Sequence, residues 1–245
     1  MLGLMDEGPC MGISHYDDPT DMFSAYIDIL GGAAVSPTEL AAATEIRTWL
    51  DENGMGDKPC RAKADAVIND SRTHEMIRQA FDGEYSSWAF QLADNAGIDI
   101  AAEAEERVLR DVQTNYYLIR FVTPDEEAVE RIGAAVREQV DIDGLERLPL
   151  TEITGIGPEY GGYNAVTEIT RAAADYPLCC IDIVKKAMFL KVNSCRYTAV
   201  STVERWLFLT EKALSELDGE LYEEMKRLSE AESSEGLLKR VRLML

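Results

Sequence analysis

Apolar residues recur at intervals of three and four along most of this chain, and residues typical of helix ends bound the runs. One run begins at Ser36-Pro37-Thr38-Glu39, where a hydroxyl N-cap, a first-turn proline and a glutamate three residues after the cap form a complete helix start. Asn53-Gly54 ends that run, and Thr123-Pro124-Asp125-Glu126 repeats its start. The alternating pattern of strands is nearly absent, with 150–154 as a short candidate. The sequence therefore predicts an all-α protein, a multi-helix bundle of about nine or ten helices.

The negative charge of the chain is confined to its first two-thirds. The protein carries 45 acidic and 24 basic residues, for a net charge of −21. Residues 1–160 hold 32 of the acids and 12 of the bases, whereas residues 161–245 hold 13 acids and 12 bases. The change coincides with a stretch rich in glycine and proline, which is typical of a connection between compact parts. We therefore expect an acidic helical part over 1–145, a connector over 146–163, and a neutral apolar bundle over 164–245 that packs with the acidic part.

This charge argues against several classes of function. An acidic surface repels the phosphates of nucleic acid and of anionic membranes, so neither is an expected partner. The chain has no stretch of about 18 uncharged apolar residues, and Met1–Gly12 lacks the basic start of a signal peptide, so we expect a cytoplasmic protein. The expected partner is a protein, either a second copy in a homo-oligomer or a basic protein on the acidic face. Adaptation to high salt remains an alternative reason for the acidity.

The cysteines and histidines form no recognisable catalytic or metal-binding pattern. The five cysteines are odd in number, include the adjacent pair Cys179-Cys180 and form no CxxC motif, so we expect buried reduced thiols rather than disulfides or a metal site. His15 and His74, the only histidines, lack the neighbours of a nucleophilic triad or a zinc hydrolase. We therefore expect no resident cofactor, and we favour a protein that is not an enzyme.

One acidic motif supports a different interpretation. Asp17-Asp18-Pro19-Thr20-Asp21 resembles the DDxxD motif of isoprenoid synthases, which are all-helical enzymes. The resemblance implies that Asp17, Asp18 and Asp21 hold Mg²⁺ bound to a diphosphate, and clustered carboxylate oxygens suit that ion. Asn69-Asp70-Ser71-Arg72-Thr73 is similar to the start of the second metal motif of terpene synthases, but Ile77 stands where its closing acid would be. The alternative is that residues 17–21 form a helix-capping turn.

Several short pieces of the chain are similar, in order, to pieces of allophycocyanin-type phycobiliproteins. The matching pieces are Ser36-Pro37-x-Glu39-Leu40, Ser71-Arg72, Leu109-Arg110-Asp111, Tyr116-Tyr117-Leu118 and Val122-Thr123-Pro124-x-Glu126-Glu127. The resemblance implies a helical fold and an open-chain tetrapyrrole contacted by Arg110 and Asp111. Val108 stands where that family has its chromophore cysteine, and the last 85 or so residues have no counterpart. The pieces therefore do not assign the chain to the family.

The C-terminal third carries the features that favour protein contacts. A heptad-like stripe is interrupted by Asp218-Gly219, which favours packing within a bundle over a free coiled coil; the stripe comprises Val200, Val203, Leu207, Thr210, Leu214, Leu217 and Leu221. Gly236–Leu245 follows as a basic amphipathic tail without an acid. This tail either docks back on the acidic part or presents a helix to a partner.

These observations predict a non-enzymatic interaction or assembly protein that acts through protein–protein contacts of its C-terminal helices. The residues expected to carry the contacts are Val200, Val203, Leu207, Leu214, Lys239, Arg240 and Arg242. The alternative prediction is a Mg²⁺-dependent enzyme of isoprenoid-synthase type that uses Asp17, Asp18 and Asp21.

Overall fold

The computed structural model describes residues 19–29, 32–83, 86–122, 125–146 and 157–245. These residues form fourteen α-helices and no β-strand, which confirms the prediction of an all-α multi-helix bundle. The helices are more numerous than the nine or ten expected, because some long apolar patterns are divided between two helices.

Two of these divisions have a visible local cause. A single apolar pattern runs from Asp99 to Ile119, but the helix stops at Arg110 because the Asp111 side chain accepts a hydrogen bond from Thr114 N–H and caps a new turn. The stripe that begins at Val200 is divided by Glu211, whose φ of 56° places it in the left-handed region.

The helices group into two compact units, unit 1 over residues 1–100 and unit 2 over residues 101–245. The described helices of unit 1 are α1 (Pro19–Ile29), α2 (Pro37–Glu52), α3 (Pro59–Ile68), α4 (Ser71–Ala80) and α5 (Ser86–Ala96). Helix α2 packs against α3 and α5, and α1 packs against α3. The predicted capping box is present, since Glu39 N–H donates to Ser36 Oγ and the Glu39 carboxylate accepts from Ser36 N–H. The apolar residues of the run that begins at Ser36 are buried in α2, namely Leu40, Ala43, Ile46 and Leu50.

Unit 2 contains nine of the described helices. They are α6 (Ala101–Arg110), α7 (Val112–Asn115), α8 (Glu126–Gln139), α9 (Gly161–Ala172), α10 (Ile181–Ala187), α11 (Asn193–Thr210), α12 (Leu214–Leu217), α13 (Gly219–Ala231) and α14 (Glu235–Met244). Short 3₁₀ turns lie at Tyr116–Phe121, Pro158–Tyr160 and Ala173–Asp175.

Helix α9 lies at the centre of unit 2. Eight of its twelve residues are buried, and it contacts α7, α8, α10 and α11. Gly161 allows this close packing, because a Cβ at that position would lie 2.6 Å from the backbone oxygen of Gln113.

The compact units divide at a different place from the shift in charge. Helix α8 precedes the Gly/Pro-rich connector at 146–163 and α9 begins within its last residues, yet the two helices pack against each other inside unit 2. The division into 1–145 and 164–245 therefore describes composition, and its meaning for the organisation of the chain stays a prediction.

A buried ion pair connects the last helices of unit 2. Arg196 of α11 and Glu232, which lies just before α14, have side chains 1% and 0% exposed, and Arg196 Nε lies 2.7 Å from Glu232 Oε2. The other guanidinium nitrogens donate to the backbone oxygens of 190–191 and to Asn193 Oδ1. The second oxygen of Glu232 accepts from the N–H groups of 233–234. Every charged atom of the pair is thus satisfied, as burial requires.

Within the described parts of the chain, no helix combines the length and the hydrophobicity that crossing a membrane would need.

Candidate functional site

The acidic motif at residues 17–21 cannot be placed as a metal site. Asp17, Asp18 and the side chain of Asp21 lie outside the described residues, so the Mg²⁺ prediction stays a prediction. In the second motif, Asp70 is the N-cap of α4 and accepts from Arg72 N–H at 2.8 Å. The Arg72 side chain also pairs with this carboxylate and holds the pKa of Asp70 below its ordinary value. Asp70 therefore already has a local structural role.

The two residues that the phycobiliprotein resemblance implies as pigment contacts also make local contacts. Arg110 pairs with Glu106 one helical turn earlier, with Nη2 and Oε1 2.6 Å apart on an exposed face. Asp111 accepts from Thr114 N–H and caps α7. Both side chains therefore have partners from their own segment of chain.

The predicted contact residues of the heptad-like stripe lie mainly inside unit 2. Val200, Val203 and Leu214 are at most 1% exposed, and Leu207 is half-buried. They form the core that holds α11 against its neighbours, so a partner does not reach the first three in this arrangement. The two residues that follow Leu207 on α11, Phe208 and Leu209, are exposed instead.

The basic tail docks on α11, and it does so in parallel. Ser234 Oγ lies 2.6 Å from Tyr197 Oη, and six residues later Arg240 Nε donates to Glu204 at 2.9 Å. Both helices therefore advance in the same direction, with matching residues about 36 positions apart. The docking partner is α11 of unit 2. Helix α14 keeps Lys239 and Arg242 exposed on its outer side.

This parallel arrangement brings exposed apolar side chains to one end of the helix pair. Phe208 lies one turn beyond Glu204 on α11, and Leu243 lies one turn beyond Arg240 on α14. Phe208 is 73% exposed and Leu243 is 79% exposed, and Leu209 and Leu245 are also exposed. We call these four residues the C-terminal apolar surface. They make up four of the nine large apolar side chains that are exposed in the described parts of the chain.

Charged groups of both signs surround the C-terminal apolar surface. The guanidinium carbon of Arg205 lies 5.5 Å from the centre of the Phe208 ring. Lys239 and Arg242 lie on α14, while Glu211 and Lys212 are exposed in the turn after Phe208. An apolar centre with a mixed polar rim has the anatomy of a protein contact surface.

A second cluster in unit 2 joins two thiols and a carboxylate. Ligand atoms of Glu130, Cys179 and Cys180 all lie within 4.8 Å of one another. The two Sγ atoms are 3.9 Å apart, and Glu130 Oε1 accepts from Cys180 N–H at 2.9 Å. Burial raises the pKa of Cys180 to about 11 and raises that of Cys179 as well, whereas the bond from Cys180 N–H lowers the pKa of Glu130. Both thiols are thus protonated near neutral pH.

The backbone around this cluster is strained. Leu178 and Cys180 have φ values of 70° and 51°, in the left-handed region. Residues other than glycine rarely adopt this conformation, because it costs about 1–2 kcal/mol for each residue. Gly133 of α8 makes room for the turn, because a Cβ there would lie 2.4 Å from Cys180 Sγ. Residues with strained backbone concentrate at functional sites, so this turn is a candidate for one.

Sequence reasoning missed this cluster. The adjacent cysteines fit no metal-binding spacing, and Glu130 lies about 50 residues earlier among many other acids. The only local signals are Gly133, a glycine inside a helical pattern, and Pro177 just before the cysteine pair.

Comparison of the chain with protein-family models, with curated proteins and with solved structures gives no match.

Proposed function

We propose that this chain is a non-enzymatic assembly protein and that its C-terminal apolar surface joins two copies of it. The observation that carries the proposal is the position of Phe208 and Leu243 at the same end of α11 and α14, with 73% and 79% of their surface exposed. Exposed apolar residues that stand singly are normal on protein surfaces, but a cluster of them marks an interaction site.

The charge of the chain favours a second copy as the occupant. Two molecules that each carry −21 repel each other, and the repulsion is smallest where the local charge is closest to zero. Residues 161–245 carry 13 acids and 12 bases, so they offer such a surface. The rim is also self-complementary, since Glu211 of one copy can pair with Lys239 or Arg242 of the other across a two-fold axis.

The size of the apolar surface predicts a reversible dimer. A stable interface buries about 800 Å² on each partner, and four side chains supply only part of that area. The polar rim must provide the rest. Because a rim of charged groups contributes little affinity in water, we expect the dimer to dissociate on dilution.

Sedimentation equilibrium of the full chain tests the proposal. The monomer mass is 27.3 kDa, and we expect the average mass to rise toward twice that value with concentration. Raising NaCl from about 0.05 to about 0.5 M should strengthen the dimer, because salt screens the repulsion between the acidic parts. The Phe208→Ser, Leu243→Ser double variant should remain a monomer.

A control variant distinguishes the effect of this surface from the effect of removing an exposed apolar side chain elsewhere. Val35 of unit 1 is 75% exposed, so Val35→Ser removes a similar side chain elsewhere and should leave the dimer unchanged. Circular dichroism of all variants checks that the fold is retained. A wild-type chain that stays a monomer at the highest concentrations, or a double variant that still dimerises, would overturn the proposal.

A further inference from the structure

The spacing of the two thiols in unit 2 matches the requirement of one tetrahedral metal ion. Zinc bonds to thiolate sulfur at about 2.3 Å, so two thiolates at tetrahedral angles lie about 3.8 Å apart. Cys179 Sγ and Cys180 Sγ lie 3.9 Å apart. An ion between them therefore needs little movement of either side chain.

The strained turn explains how neighbouring residues achieve this spacing. Adjacent side chains in an extended chain point to opposite sides. The left-handed residues Leu178 and Cys180 fold the backbone around Cys179, so that both sulfurs come close to the same carboxylate. Gly133 provides the space for the Cys180 sulfur.

The Glu130 carboxylate is held beside the two buried thiols and connects them to solvent. Its Oε1 accepts from Cys180 N–H, and its Oε2 lies 3.4 Å from Arg137 Nη1. Arg137 is in turn fixed by two bonds to Asp182, of 2.9 and 2.7 Å. Such outer partners orient the ligands of protein metal sites. The Glu130 side chain is 47% exposed, whereas both cysteines are buried, so an ion can enter along the carboxylate.

We propose that Glu130, Cys179 and Cys180 bind a divalent cation of the zinc class, with water in the fourth position. Two sulfur donors and one carboxylate oxygen suit a borderline ion such as Zn²⁺ better than Mg²⁺ or Ca²⁺. Binding replaces two S–H bonds with two metal–sulfur bonds and releases two protons to solvent. No oxidation or reduction takes place. From the spacing of the cysteines alone we had expected thiols without a metal role, and this proposal differs from that expectation.

Titration of the metal-free full chain with Co²⁺, in the presence of a phosphine reductant, tests the site. Cobalt reports tetrahedral coordination by its visible absorption, and a thiolate-to-cobalt charge-transfer band in the near ultraviolet grows with each sulfur bound. We expect saturation at one equivalent, a band from two thiolates, and loss of both signals when Zn²⁺ displaces the cobalt.

Variants identify the ligands. Cys180→Ser should remove about half of the charge-transfer band. It should also weaken Co²⁺ binding by at least about tenfold, because the loss of a residue that only orients a ligand can already lower metal affinity by that factor. Glu130→Gln should weaken binding while both sulfurs still contribute to the band. Cys195 is a buried thiol of unit 2 outside the cluster, so Cys195→Ser should change neither the band nor the affinity.

Several results would overturn the proposal. One is the absence of a charge-transfer band at about tenfold excess of Co²⁺ over protein. Another is a band of equal strength in wild type and Cys180→Ser. A third is a loss of charge-transfer intensity that is as large in Cys195→Ser as in Cys180→Ser, because the band would then depend on folding rather than on the cluster. The charge-transfer band counts sulfurs, so it separates a ligand from a residue that only supports the fold.

Discussion

The buried pair of Arg196 and Glu232 supports a sharp prediction about stability. Glu232→Gln keeps the size of the side chain but removes its charge, so the guanidinium of Arg196 remains inside unit 2 without a counter-charge. Both side chains are at most 1% exposed, so water cannot replace the lost partner. Removal of one partner from a buried ion pair costs about 3–5 kcal/mol of the free energy of unfolding.

The chain offers a matched control for this substitution. Arg110 and Glu106 form an ion pair of the same residue types on the surface of α6, with side chains 66% and 71% exposed. A solvated pair one helical turn apart contributes about 0.3–0.5 kcal/mol. Glu106→Gln should therefore lower the free energy of unfolding by about a tenth of the amount that Glu232→Gln does. The difference between the two variants measures the effect of burial.

Urea unfolding followed by tryptophan fluorescence measures both variants. A background with Trp49→Phe and Trp88→Phe leaves Trp206, which is buried in unit 2, as the only tryptophan, so the signal reports that unit. For a unit of this size, a loss of 3–5 kcal/mol lowers the melting temperature by on the order of 10 °C. A cost below about 1 kcal/mol for Glu232→Gln, or one equal to that of Glu106→Gln, would refute the reasoning.

Three further predictions concern single side chains. Gly161→Ala should destabilise unit 2 by about 1–3 kcal/mol in the same urea assay, because its Cβ would meet the backbone 2.6 Å away, whereas Gly219→Ala has open space and should not. Ser36→Ala should lower the stability of unit 1 by about 1 kcal/mol, measured by circular dichroism during urea unfolding, since α2 loses its N-cap. In the metal-free chain, burial raises the pKa of Cys180 to about 11, so this thiol should react with iodoacetamide at pH 7.5 far more slowly than a free cysteine. Mass spectrometry of the labelled peptides can check the rate, and a rate equal to that of the free amino acid would contradict the prediction.

The parts of the fold that depend on local chemistry were predictable. The Ser36 cap and the buried face of α2 follow from hydrogen bonds and spacings within a few turns of one helix, and both are present. The helix divisions at Asp111 and Glu211 were not predictable from the apolar spacing. Asp111 carries a cap inside a continuous apolar pattern, and Glu211 adopts a left-handed conformation that glycine normally marks.

The candidate sites depend on contacts between distant segments, so they were harder to predict from the sequence. The heptad-like stripe that begins at Val200 identified buried positions of unit 2 and not its surface, because periodicity locates the apolar face without indicating what covers it. The parallel docking of α14 brings Phe208 and Leu243 to one end. The cysteine pair looked inert because its carboxylate partner is about 50 residues away and its turn has no glycine.

The buried ion pair and the proposed dimer surface are physically connected. Glu232 accepts from the backbone of residues 233–234, immediately before α14 begins at Glu235, and the same carboxylate holds Arg196 on α11. The pair therefore fixes where α14 starts on α11, and a helix that starts in place brings Leu243 to the end occupied by Phe208 about two turns later. Because each residue advances a helix by about 1.5 Å, a slip of one turn at Glu235 would move Leu243 by about 5 Å and separate the two side chains. On this reasoning, the charge buried in unit 2 determines the geometry of a surface that is itself apolar.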